Sequence, residues 1–156
     1  MERVSEHELA IWRYFVKTHA LIIEQIELDL ANQKRVPLTT YDVLIALYEA
    51  PEQRLRLGEL VHKTVLSKSG LSRLVDRLAR EGLLRKEKSH EDGRGAYAVL
   101  TDDGERELRK AWPIYAKGIK NYFAAPLSID QRNSLQQALY SLYESMKQLG
   151  QEDEAT

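Results

Sequence analysis

Apolar residues recur at helical spacing from about Ser5 to Lys34, as Leu9, Trp12, Phe15, Val16, Ile22, Ile23, Ile26 and Leu30, with His19 on the same side. Neither glycine nor proline interrupts this run before Pro37, which restricts Val36 to extended backbone and should end the helix. Thr39 reads as the N-cap of a second helix, with Asp42 as its capping-box partner and Thr40 to about Glu49 as its body. Ala50-Pro51 breaks it, and a short third helix carries Leu57, Leu60 and Val61. Ser67 caps a fourth, whose stripe of Leu71, Leu74, Val75 and Leu78 follows i, i+3, i+4, i+7, and Gly82 ends it. Leu83 to Leu100 is the one plausible β region, with strands at Leu84–Lys88 and Ala96–Leu100 around a polar loop with two glycines, Ser89 to Gly95. Thr101 caps a fifth helix carrying Leu108, Trp112, Tyr115, Ile119 and Tyr122, which Pro113 should kink. Ser128, with Gln131, opens a sixth carrying Leu135, Leu139, Leu142, Met146 and Leu149. Both of these helices alternate steps of four and three, the seam of helices that pack lengthwise.

The longest apolar run, Val43 to Tyr48, is far short of the ~18 residues of a membrane span. The acidic N-terminus lacks the order of a signal peptide, so the chain is expected to be soluble and cytoplasmic. With no cysteine, disulfides, thiolate nucleophiles and Cys-rich zinc sites are excluded. His7, His19, His62 and His90 form no metal-ligand pair, and no phosphate loop, Gly-x-Ser-x-Gly elbow or triad spacing stands out. The sequence therefore points to no metal, no cofactor and no enzyme.

The net charge of −1 hides an uneven distribution. Arg54 to Arg94 holds 11 basic and 6 acidic residues, whereas the remainder holds 12 basic and 18 acidic. A basic middle on an acidic body suggests a nucleic-acid face, because phosphate neutralisation supplies most nonspecific affinity. In the fourth helix Ser69, Ser72, Arg73, Asp76 and Arg80, with Arg77 alongside, lie opposite the apolar stripe. Such a helix can enter a major groove, where arginine binds guanine O6 and N7. By spacing alone the same face could be charged merely for solubility. The order of Leu57-x-x-Leu60-Val61, a short turn, Ser67 and Leu71-Ser72-Arg73 is that of a helix-turn-helix, and the hairpin after it makes a winged helix.

At this point the sequence resembles the MarR-type transcription regulators. The likeness rests on Leu38-Thr39-x-x-x-Val43-Leu44, Leu57-Gly58-Glu59-Leu60-Val61, the run from Ser67 to Leu78, Glu81-Gly82-Leu83-Leu84, Asp92-Gly93-Arg94-Gly95 and Val99-Leu100-Thr101-x-x-Gly104. It implies a mainly α fold with a small β wing. A winged helix-turn-helix lobe at 37–100 would stand between dimerisation helices at 1–36 and 101–150, with a mobile acidic tail at 151–156. It also implies roles. Lys68, Ser69, Gly70, Ser72, Arg73 and Arg77 would face the major groove, and Arg94 would enter or flank the minor groove. Asp76 would pair with the wing arginine, and Asp92 would cap the wing turn. Two positions depart from the family pattern: Val65 stands where many members have glycine, and Gly93 where many carry a second wing base.

The flanking helices hold more apolar surface than a small lobe can cover, so a homodimer on a palindromic or near-palindromic duplex DNA operator is expected. Similar proteins often bind phenolic or other aromatic anions between the dimerisation helices and the lobe. Trp12, Tyr14, Phe15, His19, Tyr41, Tyr48, Trp112 and Tyr115 are the candidates for such an effector crevice, although an aromatic stripe also serves as core. The expected function is a sequence-specific DNA-binding repressor released by a small effector. The alternatives are a winged-helix module that binds a protein and not DNA, and a helical small-molecule carrier.

Overall fold

A computed structural model of the chain describes residues 3–89 and 95–154. It divides into two units, Met1–Lys117 and Gly118–Thr156. In the first, α1 spans Glu6–Asn32. Ser5 starts it with a reciprocal cap: its hydroxyl accepts the Glu8 N–H (3.2 Å), and the Glu8 carboxylate accepts the Ser5 N–H (2.8 Å). Only Ile26 and Leu30 of α1 are buried, and Ile11, Trp12, Phe15 and Val16 are exposed.

The second helix, α2, spans Leu38–Tyr48. The expected Thr39 cap is not formed. Pro37 holds the N-cap position in extended backbone, and Thr39 lies inside the helix. The first backbone donor, Leu38 N–H, is taken instead by the Glu27 carboxylate of α1 at 2.9 Å. A partner eleven residues upstream on another helix leaves no local signature.

A tight turn through Glu52 and Gln53, both left-handed (φ 55° and 52°), leads to β1, Arg54–Arg56. This strand lies outside the one β region that the pattern suggested. Three residues of alternating Arg-Leu-Arg are too short to register as periodicity, and the strand exists because β3 offers it an edge. α3 spans Leu57–Lys63, α4 Lys68–Arg80, β2 Leu84–Lys88, β3 Ala96–Leu100 and α5 Asp102–Gly118. The sheet order is β1-β3-β2, antiparallel throughout, with Leu55 opposite Ala98 and Lys86 opposite Ala98 from the other side. Leu44 and Leu47 of α2, Leu60 of α3, Leu71, Val75 and Leu78 of α4, Leu84 and Ala98 interlock as a fully buried core.

Two joints fix α4 within this lobe. At its C-terminus Gly82 (φ 78°) makes a Schellman turn, with Leu83 N–H on Leu78 O (3.0 Å) and Gly82 N–H on Ala79 O (3.2 Å). At the start of α5 the Thr101 hydroxyl donates to Gly82 O (2.6 Å) and accepts the Gly104 N–H (3.1 Å). Gly104 sits so close to the Leu83 carbonyl that a side chain there would overlap it.

α5 continues past Pro113, and the departure from α-helical bonding falls beyond it. That departure lies in the second unit, a π-helical turn at Ile119–Ala124, where Ala125 N–H reaches Lys120 O (2.8 Å). α6 spans Ile129–Glu154, opened by the expected Ser128–Gln131 box (2.9 and 3.2 Å), and runs four residues past position 150. Leu142, Tyr143, Met146 and Leu149 on it are exposed. No helix among the described residues is long and apolar enough to cross a membrane.

Candidate nucleic-acid interface

The short α3 is held at its start by the Glu59 carboxylate, which accepts the Arg56 N–H at 2.9 Å. A four-residue turn follows, in which Val65 is 91% exposed. The turn thus keeps a β-branched side chain by leaving it in solvent. Ser67 then caps α4, its hydroxyl accepting the Gly70 N–H at 3.1 Å. Ser67→Ala is expected to cost about 1 kcal/mol, read as a lowered midpoint in denaturant with unchanged m-value.

Leu71, Leu74, Val75 and Leu78 of α4 are buried, and Lys68, Ser69, Ser72, Arg73, Arg77 and Arg80 are exposed on the opposite side. The stripe is what turns this polar face outward. Gly70 lies over the cap, where a Cβ would meet the Ser67 hydroxyl at 3.0 Å. Arg77 has a neighbour in Glu81 at 3.7 Å, one turn on. Arg73 and Lys68 have no ion pair among the described residues.

Asp76 receives a hydrogen bond from Lys86 Nζ of β2 at 2.8 Å. That bond, the Lys86 charge and Arg80 hold its carboxyl below the usual aspartate range. The first strand of the wing is thereby tied to α4 through Lys86, a residue not singled out from the sequence. Its signal was available: Lys86 shares the parity of buried Leu84, so strand alternation turns it toward α4. Arg94 and Asp92, expected as wing anchors, lie outside the described residues, as do Gly93 and His90.

The effector candidates separate. Tyr41 of α2 meets Trp112 and Tyr115 of α5 in a three-ring cluster. Tyr41 stacks on Trp112 (centroids 6.4 Å apart, planes 21° apart), and Tyr115 stands edge-on to both at 5.0 and 6.2 Å. Burial first, then neighbouring Tyr115 and acids including Asp42, push the Tyr41 hydroxyl above the usual tyrosine pKa. Burial and Asp42 do the same to Tyr115. Tyr48 belongs elsewhere, its hydroxyl 3.3 Å from Arg109, whose guanidinium lies 5.7 Å from the ring centroid. Trp12 pairs with Phe15 on α1 (6.1 Å), and Tyr14 and His19 are exposed there. Among the described residues no ring contact joins these to the trio.

The MarR family signature matches residues 36–95, a range that holds α2, the helix-turn-helix and β2. The uncharacterised HTH-type transcriptional regulator YkoM of Bacillus subtilis (strain 168) is 30% identical over 134 residues, spanning 86% of this chain and 84% of that protein. Among solved structures, the MarR family regulator AbsC from Streptomyces coelicolor superimposes with a TM-score of 0.85 at 28% identity, over 94% of this chain and 99% of AbsC. Sco3205, a MarR family regulator from the same organism solved in complex with DNA, gives 0.86 at 28% identity, over 93% and 91%. Fold, sequence likeness and an outward-facing basic helix agree: the chain belongs to the MarR family of winged-helix, DNA-binding transcription regulators.

Proposed function

We propose that the chain is a cytoplasmic homodimeric repressor that acts by binding and not by catalysis, with α4 as its major-groove reader. The observation that carries this reading is the division of α4 into a buried stripe and a face of Lys68, Ser69, Ser72, Arg73 and Arg77 free to meet DNA. Ser72 and Arg73 address bases, Arg77 exchanges Glu81 for DNA, and the helix N-terminus with Ser69 and Gly70 accepts a phosphate. Exchange is cheap because an exposed ion pair is worth only about 0–1 kcal/mol. Arg94 completes the contact from the wing. Sco3205, similar over nearly the whole chain, is known in complex with DNA.

The exposed apolar residues of α1 (Ile11, Trp12, Phe15, Val16) and of α6 (Leu142, Met146, Leu149) support a partner copy of the same chain. Two recognition helices then meet successive major grooves about 34 Å apart. A small aromatic effector at the Tyr41–Trp112–Tyr115 cluster releases the dimer by favouring another spacing of the two helices. BpsR of Bordetella bronchiseptica, which shares the fold, has its DNA binding regulated by 6-hydroxynicotinic acid.

Selection of bound duplexes from a random pool tests the reading. The expected product is an inverted repeat with half-sites about one helical turn apart. Recovery of no enriched sequence, or of single half-sites only, contradicts it.

A further inference from the structure

β2 places against α4 a cation to which the family resemblance gives no role. Lys86 Nζ lies 2.8 Å from Asp76 Oδ1, ten residues upstream. The strand dictates this meeting. Lys86 leaves β2 on the side of buried Leu84, and directly across the ladder on that side β3 offers only the methyl group of Ala98. The Schellman turn at Gly82 fixes where β2 departs from α4. One turn alone leaves the strand free to pivot, whereas a second tie, farther along both elements, sets its direction. Arg80, one helical turn on from Asp76, acts on the carboxylate by charge and makes no hydrogen bond to it among the described residues. Lys86 is therefore the cation that holds it in place.

For a groove-reading helix Asp76 is electrostatically out of place. It stands on the outward side of α4, with Ser72 one turn before it and Arg80 one turn after it. A bare carboxylate there repels phosphates. The pair also does little for the fold, because the Lys86 and Asp76 side chains are 42% and 45% exposed, and exposed pairs are weak. What the pair does supply is a fixed angle between helix and strand. Resting on the reading of α4 as the major-groove helix, we propose that Lys86 is a positioning residue for operator binding, whose bond to Asp76 sets the wing on α4 from the root of the wing. The family resemblance gives that task to the wing arginine, Arg94. With the carboxylate held by Lys86, Arg94 serves as a DNA contact and not as a brace.

The test is a double-mutant cycle on the full-length protein, read as affinity for the selected operator and for an unrelated duplex at constant salt. Asp76→Asn removes a negative charge from a helix that faces DNA, so electrostatics alone predicts tighter binding. Positioning predicts the reverse on the operator, a loss of about two- to fivefold per recognition helix, with the unrelated duplex bound equally or more tightly. Lys86→Met, which also bares the carboxylate, should lose at least as much on the operator with its salt slope unchanged. The double variant should be no weaker than either single one, whereas Arg94→Ala should add its loss to that of Asp76→Asn. Melting temperatures should stay within about 4 °C of the unmodified protein. A larger fall makes the pair a prop of the fold and overturns the inference. So does an Asp76→Asn protein that binds the operator as tightly as the unmodified one, losses that add in the double variant, or coupling of Asp76 to Arg94 in place of Lys86. A salt slope reduced by about 1 in Lys86→Met marks a phosphate contact, and a changed base preference in Asp76→Asn marks a base reader; either overturns it too. If the unmodified protein selects no operator, the reading of α4 fails and this inference with it. An operator bound equally by all the variants counts against Lys86 alone.

Discussion

Arg73→Ala is expected to weaken the complex with the selected operator by about 1–3 kcal/mol, roughly 5- to 150-fold in Kd at constant salt. Leu71, Leu74, Val75 and Leu78 are buried, and this fixes the helix rotation that turns Arg73 into solvent next to Ser69, Ser72 and Arg77. Arg73 makes no ion pair among the described residues, so none of the ion pairs described there has to be given up when DNA arrives. Arg77 differs, because Glu81 lies 3.7 Å away and competes for its guanidinium. Removing Arg77 should therefore cost less than removing Arg73. The comparison that decides Arg73's role is operator against unrelated duplex. A loss confined to the operator identifies a base contact, whereas equal losses on both, with a salt slope reduced by about 1, identify a phosphate contact.

The recognition helix was legible because its information is local. A capping serine, a stripe at i, i+3, i+4, i+7 and a glycine at the end all sit within sixteen residues, and each forms as read. The caps at Thr101 and Ser128 were legible for the same reason. What escaped depends on distant partners. The start of α2 is capped by Glu27 from α1, β1 is created by pairing with β3, and Asp76 is held by Lys86 across the turn from α4 into β2. The aromatic candidates show the same division. The family resemblance suggested seven side chains together with Tyr14, but only the crossing of α2 and α5 selects Tyr41, Trp112 and Tyr115 as a cluster.

The crossing depends on a close approach at the other end of α5, which sets up the second large effect. Gly104→Ala is expected to destabilise the protein by about 3 kcal/mol, near the top of the usual range for overpacking. The added Cβ would overlap the Leu83 carbonyl oxygen and come within 2.8 Å of Leu100 Cδ1. A flexible side chain could move aside, but the Leu83 carbonyl is backbone. Its position is set by the Schellman turn at Gly82, by Thr101 N–H at 3.3 Å and by strand β2, which begins one residue later. Relief therefore requires α5 to lift away from the end of α4, which also strains the Thr101 hydroxyl bridge between Gly82 O and Gly104 N–H. For a chain of this length the loss corresponds to a melting temperature lower by about 6–12 °C. Gly58→Ala is the matched control. It lies inside α3 with nothing within 4 Å of a Cβ, so the helical preference for alanine should leave stability unchanged or raise it by up to about 1 kcal/mol. A Gly104→Ala protein that melts with the unmodified one would show that α5 is free to shift on the lobe. The joint at Thr101 would then not be rigid enough to carry a change at Trp112 to the recognition helix.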